Sequence, residues 1–314
     1  MMQEIHPLTE NRACPVCGTT THVKFADEHI DPDRINDFTY SSRKQPEFMC
    51  LRLVRCTRCD LVYAPNPPDR SFLAAAYADA AYDSSQAAQC AAQSYAQALT
   101  PYLPLLQNKN VAVDLGAGSG PLLPWLCGIG FQTVIGIEPS RAAINAAPVS
   151  VKPMLREGMF GAELLEGINP SLICSFMTLE HIDDPGSFIT TAYNSLEPGG
   201  MVALVVHNWQ GLLNRMLGLR SPIIDVEHLQ LFNPSSVTFL LEKVGFEAIT
   251  VKPICNRYPL GYWLRLMPLP ASIKNRIAST LDHISLLDRK IPMPVGNILV
   301  IGIKPLEKPL AEKK

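Results

Sequence analysis

Val111–Leu126, VAVDLGAGSGPLLPWL, runs from an apolar strand into a glycine-rich turn and out into a helix. Gly116, Gly118 and Gly120 let the backbone bend sharply there and approach a ligand closely. The turn fits only part of the dinucleotide fingerprint G-x-G-x-x-G, because Gly116 and Gly118 take the first two glycine positions but Pro121 stands at the third. Asp114, just before the turn, would repel a pyrophosphate and suits a cationic ligand carrying an amino group. In IGIEPS (135–140), Glu138 ends the next strand about 20 residues past the turn, where a carboxylate can accept both hydroxyls of a ribose. Ligands of open α/β sheets bind outside the carboxyl ends of the strands, so the glycines and Glu138 point to one site.

Outward from this turn, short apolar runs alternate with helical stretches from Asn110 onward. VAVDL, FQTVIGIE, PSLICSFM and MVALVVHN are continuous, apolar and flanked by Gly or Pro, as parallel strands buried on both faces are. SVTFLLEKVGF reads as an amphipathic helix stopped at Gly245, and FEAITVKP and NILVIGIKP read as the last two strands. The pattern predicts a doubly wound α/β sheet. Upstream, 70–106 is rich in Ala and Gln and reads as helices ending at Pro101 and Pro104. Tyr77 and Tyr82 read there as helix-packing residues, with closure over a bound cofactor as the alternative. Residues 253–295 interrupt the final strand pair, and Ile273, Ile277, Leu281 and Ile284 give one helix of that insert an apolar face.

Cys14-Pro-Val-Cys17 and Cys56-Thr-Arg-Cys59 form two C-x-x-C knuckles within residues 1–68. Thiolates two residues apart can face one ion, and two such pairs complete a tetrahedral four-sulfur shell. Zinc is the expected metal, with iron as an alternative, and a closed four-cysteine shell makes it structural rather than catalytic. The 38 residues between Cys17 and Cys56 exceed the spacing of a compact finger, and a hairpin inserted in the gap accounts for them. Cys50, Cys90, Cys127, Cys174 and Cys255 read as small buried hydrophobes.

Composition removes several other classes. The 314 residues are 47% hydrophobic and 18% charged, as in a folded globular chain. A net charge of −2 gives no basic excess for nucleic acid. No run approaches the ~20 apolar residues of a membrane span, and the start MMQEIHPLTENRAC has no signal-peptide pattern, so a cytoplasmic protein is expected.

Taken in order, VDLGAGSG, IGIEPS, SFMTLEHIDDP, LEPGG and VEHLQLFNPSSVTFLLEKVGF resemble the motifs of class I S-adenosylmethionine (SAM)-dependent methyltransferases over about residues 70–304. SAM carries an ammonium and a sulfonium and no phosphate, which matches the ligand expected at Asp114. The resemblance implies a Rossmann-like seven-stranded sheet in the order 3-2-1-4-5-7-6, its last strand antiparallel, behind a small zinc-ribbon-like module. It implies a zinc-binding module at 1–68, a helical linker or cap at 69–108, the methyltransferase domain at 109–304 with a substrate-capping insert at 253–295, and a tail at 305–314. It also implies that Asp114, Gly116, Ala117, Gly118, Gly120 and Glu138 line the SAM site, with Met177 and Thr178 near its methionine or adenine end. The family's acid after the third strand is absent, and MLREGMFGAE offers Glu157 or the backbone at Met159 or Phe160 instead.

The cysteine module and its tail CTRCDLVYAPNP resemble the region preceding the methyltransferase domain of bacterial sugar C-methyltransferases. By that likeness His228, in DVEHLQLF, is the candidate general base, although Asp225, Val226 and Glu227 replace the residues those enzymes carry just upstream. Glu180 and His181 resemble residues of ubiquinone-pathway O-methyltransferases and are the other catalytic candidates. Met177, in place of an acid two residues before Leu179, argues against a second metal. His207 ends the fifth strand and can face the pocket. Tyr262, Trp263 and Arg265 make the insert a candidate lid, with a plain core or dimer contact, or weak contact to a membrane surface, as the alternatives.

The expected function is methyl transfer to oxygen or carbon of a small-molecule acceptor, such as a nucleotide-linked sugar, a glycan or a secondary metabolite, by a monomer or homodimer. The rivals are an NAD-dependent nucleotide-sugar enzyme and a non-catalytic SAM- or metal-binding regulator.

Overall fold

The structure is a computed structural model that describes residues 11–36, 38–40, 46–82, 85–267 and 269–306. The opening stretch 1–10 and most of the tail expected at 305–314 lie outside the described residues. In chain order the elements begin with β1 (His22–Ala26), β2 (Leu53–Cys56), β3 (Val62–Tyr63), α1 (Arg70–Asp79) and α2 (Ser85–Leu99). The central elements are β4 (Val111–Leu115), α3 (Leu123–Ile129), β5 (Thr133–Glu138), α4 (Arg141–Ala146), β6 (Leu155–Glu157), β7 (Leu172–Phe176), α5 (Pro185–Ser195) and β8 (Met201–His207). Next come α6 (Leu212–Leu217), β9 (Gln230–Leu231), α7 (Pro234–Val244) and β10 (Glu247–Pro253), then β11 (Asn256–Pro259), α8 (Leu260–Leu266), α9 (Ala271–His283), β12 (Lys290–Met293) and β13 (Asn297–Ile303).

The large sheet runs β10-β13-β8-β7-β4-β5-β6, which is the order 3-2-1-4-5-7-6 read from the other edge. β4, β5, β6, β7 and β8 pair in parallel, while β13 runs antiparallel to both β8 and β10. Every residue of β7 is buried, and so is all of β8 up to Val206, as central parallel strands require. Alternation then sorts the strands' side chains onto two cores. Val113, Leu115 and Leu204 on one face pack with Phe188 of α5 and Leu240 of α7, whereas Ala112 and Val205 on the other pack with Tyr95 and Leu99 of α2.

The helix ends follow local chemistry. Asn233 caps α7 through Ser236 in a reciprocal capping box, Pro234 occupies the first turn, and Gly245 ends the helix in the left-handed region (φ 110°). Asp184 caps α5 by accepting from Ser187 N at 2.9 Å. Among the described residues no helix is long and apolar enough to cross a membrane.

A second sheet, β1-β2-β3-β9, joins the cysteine region to the main domain, because β9 lies between β8 and α7 in sequence. The hairpin expected between the knuckles is present as β1 against β2. The four paired cysteines belong to the same core as α5 and α7, with Cys14, Cys17, Cys56 and Cys59 all buried.

One expectation fails here. Cys127 and Cys255 are exposed instead of buried; Cys127 lies on the outer side of the short helix α3, and Cys255 sits in the connection between β10 and β11. The helix of the insert forms as α9, and its apolar face stays partly in solvent, with Ile273 at 47% exposure and Ile284, just past its end, at 59%; α9 packs chiefly on α8.

Candidate active site

The glycine turn forms as its spacing demands. Gly116, Gly118 and Gly120 all have positive φ (76°, 57° and 72°), a region that costs a side chain energy. Gly116 also has no room for one: a Cβ there would lie 2.3 Å from Thr178 Oγ1. The turn stands at the carboxyl ends of β4 and β7, and Gly116 N and Ala117 N donate to Ile137 O at 2.9 and 3.1 Å.

Glu138 ends β5 facing this turn. Its Oε2 accepts from Gly118 N at 2.7 Å and its Oε1 from Ser140 N at 2.8 Å. Burial pushes its pKa up, and these two N–H donors oppose that shift. One cavity of about 480 Å³ opens over Gly116, Ala117, Gly118 and Glu138, and Met177 and Thr178 form its floor. Met177 has φ 58°, a rare conformation for a non-glycine residue. Gly158, Met159, Phe160 and Gly161 line the cavity where the third-strand acid was expected to be missing. Glu157 instead pairs with Arg141 at 2.7 Å in an exposed position.

Two of the expected cofactor residues do not line this cavity. Asp114 is buried (5% exposed) within β4 beneath the turn, and Gly120 faces Val151 and Leu123 behind it.

The same cavity continues to three histidines from three separate segments: His181 after β7, His207 as the last residue of β8 and His228 before β9. The His181 and His228 rings lie 4.8 Å apart, and the His207 and His228 rings 5.3 Å apart. His228 is 7% exposed, and its Nδ1 lies 2.9 Å from Ile223 O. A carbonyl only accepts, so Nδ1 carries the proton and Nε2 is the basic nitrogen. Nε2 stands 4.0 Å from Glu227 Oε1, a carboxylate able to stabilise the imidazolium. By the same argument His181 Nδ1, 3.2 Å from Glu227 O, is the protonated nitrogen of that ring. Asn297 Oδ1 lies 2.9 Å from His207 Nδ1.

Glu180 is not part of the cavity wall. It is fully buried beneath His207, where its Oε1 accepts from His207 N at 2.6 Å and its Oε2 has no hydrogen-bond partner. Burial raises its pKa to about 7. Glu180 therefore supports the histidine cluster from behind.

Tyr77 and Tyr82, read as helix-packing residues with closure over a cofactor as the alternative, both line the cavity. Tyr82 stands beyond the end of α1, with its hydroxyl 2.7 Å from Ser119 Oγ in the glycine turn. Tyr77 Oη lies 3.2 Å from His181 Nδ1 and donates to Glu227 O at 3.4 Å. Tyr40, Asn256 and Asn297 join the wall from distant segments, and no local sequence signal marks them. Tyr262 and Trp263 of the insert also line the cavity, with Arg265 stacked on Tyr262 at 5.3 Å.

The sulfurs of Cys14, Cys17, Cys56 and Cys59 lie within 4.8 Å of one another, with Cys14–Cys59 at 3.5 Å and Cys17–Cys56 at 3.4 Å. A tetrahedral shell with metal–sulfur bonds of about 2.3 Å needs sulfurs about 3.8 Å apart, so the cluster fits a four-sulfur ion site. Cys56 Sγ further accepts from Arg58 N and Cys59 N, each at 3.4 Å. The hydrogen bond with Cys59 draws the Cys14 pKa down, against the burial that raises it.

A family model described as a methyltransferase domain matches residues 87–251. The ubiquinone biosynthesis O-methyltransferase of Caulobacter sp. (strain K31) is 30% identical over 102 residues, 31% of this chain and 40% of that protein. The enzyme of the same name from Rhodopseudomonas palustris (strain BisB18) is 27% identical over 112 residues, 34% of this chain and 44% of that protein. The chain thus spans less than half the length of the curated relatives it matches. Among solved structures, a SAM-dependent methyltransferase from Archaeoglobus fulgidus aligns with 16% identity and a TM-score of 0.45, over 68% of this chain and 94% of that one. With its seven-stranded sheet, its glycine turn and a family match that covers half of its length, the chain belongs to the methyltransferase domain family.

Proposed function

We propose that this protein transfers a methyl group from SAM to an oxygen of a small-molecule acceptor, with transfer to carbon as the alternative, and that His228 Nε2 takes the acceptor's proton. The observation that carries this reading is the single cavity joining the glycine turn and Glu138 at one end to His181, His207 and His228 at the other. SAM supplies an electrophilic methyl on a sulfonium. Glu138 and the backbone of Gly116–Gly118 would hold its ribose, and Met177 and Thr178 would lie near its methionine or adenine end. The acceptor hydroxyl is held beside His228, which receives its proton as the O–C bond forms and the C–S bond breaks. Positioning supplies most of the acceleration in such a displacement, and the base adds to it. Glu227, 4.0 Å from His228 Nε2, stabilises the imidazolium that results.

The relatives named as ubiquinone biosynthesis O-methyltransferases support oxygen as the target. Sugar nucleotides, glycans and phenolic secondary metabolites remain the acceptor classes to screen. We assign zinc to the four cysteines as a structural ion, from their sulfur-only donor set and burial. A cytoplasmic monomer or homodimer completes the proposal.

The test is a screen with SAM labelled in its methyl group against phenols and sugar nucleotides, read by label transfer. His228→Gln should lower the rate by about 10²–10⁴. It should leave SAM affinity unchanged. Full transfer by the variant would remove His228 as the base.

A further inference from the structure

Residues that flank the cysteine knuckles hold the histidine-bearing loops. Asp60, directly after Cys59, sits with φ 66°, a conformation few non-glycine residues adopt. Its carboxylate accepts from Arg55 Nε, from Gln210 Nε2 and from Asn233 Nδ2, the last at 2.7 Å. Its carbonyl accepts from Asn233 Nδ2 at 3.2 Å and Trp209 Nε1 at 3.3 Å. Asp60 thus ties its knuckle to the loop after β8 and to the cap of α7, five residues past His228.

The first knuckle is tied in a similar way. Arg12, two residues before Cys14, donates Nη1 to Asp183 O at 2.7 Å and Nη2 to Gln230 Oε1 at 3.3 Å. Gln230, fully buried, donates in turn to Leu179 O at 2.7 Å and Ile182 O at 2.6 Å, on either side of His181. β9 itself pairs with β3, three residues past the second knuckle. The cofactor end is held differently. Its hydrogen bonds run between the glycine turn, Ile137, Glu138 and Ser140, with Tyr82 and Ala80 of the helical segment joining at Ser119 and Ser140, and these partners lie outside the knuckles.

We propose that Asp60 and Arg12 are positioning residues that couple the metal-bound knuckles to the loops of His181 and His228, so that metal at the cysteines orders the acceptor half of the cavity and leaves the SAM half unaffected. The assignment of these loops to the acceptor rests on the function proposed above; the coupling does not. A knuckle closed on an ion fixes Asp60 and Arg12, and their donor–acceptor sets fix the two loops. A knuckle that has lost its ion frees both sets at once, whereas Glu138 and the glycine turn keep their partners.

Amide hydrogen exchange read by mass spectrometry tests this on the full chain. Three samples are compared: zinc-loaded protein, chelator-treated protein, and zinc-loaded Asp60→Asn, whose metal content is measured directly. Asn keeps the left-handed backbone and removes one carboxylate acceptor. Peptides covering 179–183 and 223–233 should exchange at least tenfold faster in the second and third samples, reporting local opening. Peptides 113–120 and 134–140 should be unchanged, and so should SAM affinity. Zinc-loaded Arg12→Lys should give the same pattern and stands in if Asp60→Asn does not fold. Equal protection of 223–233 with and without zinc would overturn the proposal, as would equal loosening of 113–120. A loss of SAM binding by the zinc-loaded wild type would count against the methyltransferase reading and leave the coupling to be judged by exchange alone.

Discussion

Gly116→Ala should damage both stability and SAM binding, by an amount that the structure divides into two parts. The backbone at 116 has φ 76°, and an L-residue held in that region costs roughly 1–2 kcal/mol. The new Cβ would also sit 2.3 Å from Thr178 Oγ1 and 2.8 Å from its Cγ2. Thr178 cannot swing aside freely, since its hydroxyl donates to Leu115 O and Phe176 O, each at 3.3 Å. Overpacking of this kind adds about 1–3 kcal/mol. The total is about 2–5 kcal/mol. Thr178→Ala removes both clashing atoms, so Gly116→Ala/Thr178→Ala should recover the steric part and keep the backbone part. Chemical denaturation of the wild type, both single variants and the double variant closes the cycle, and the coupling between the two sites should be about 1–3 kcal/mol. Additive effects, or a Gly116→Ala protein as stable as the wild type, would refute the close approach of the two residues.

Two further outcomes follow from buried chemistry. Burial raises Glu180 from 4.5 to about 7, so the folded state binds its proton more tightly than the unfolded state. The associated stability is fully present below pH 4.5 and is lost as pH rises through about 7, a difference on the order of 3 kcal/mol. Glu180→Gln should flatten that slope in denaturation measured from about pH 5 to about pH 8, and parallel slopes for the two proteins would refute the assignment. Cys14→Ser should lose the bound metal and lower the melting temperature, as removal of a structural ion does; a variant that melts with the wild type would show that the knuckles hold no stabilising ion.

The sheet was legible because its strands carry their burial in their composition. VAVDL, LICSF and MVALVV have almost no polar residue to place, so only an interior position suits them. The glycine turn and Glu138 were legible because steric freedom and a ribose-facing carboxylate leave a local signature. The cysteine cluster was legible from two pairs of thiols at metal-binding spacing. Other features depend on tertiary packing and had no such mark. Tyr40 lies in the gap between the knuckles and Asn297 at the start of the last strand, and nothing near either in sequence signals the cavity they share. Glu180 and His181 are neighbours in sequence, yet one turns into the core and the other into the cavity. Asp114 has the residue type for a ligand contact, but as part of β4 it lies under the turn and outside the cavity wall. Nor did the knuckles announce that they would extend the main domain through β9, since a two-residue pairing across about 170 residues of chain leaves no local pattern.

The central claim is that the cavity at the glycine turn takes SAM. Calorimetric titration of SAM into the purified protein, with NAD as the control, tests it directly. SAM should bind saturably in the micromolar range, more weakly to Gly116→Ala, and NAD should give no heat. NAD binding, or no SAM binding by a folded, zinc-loaded protein, would contradict it.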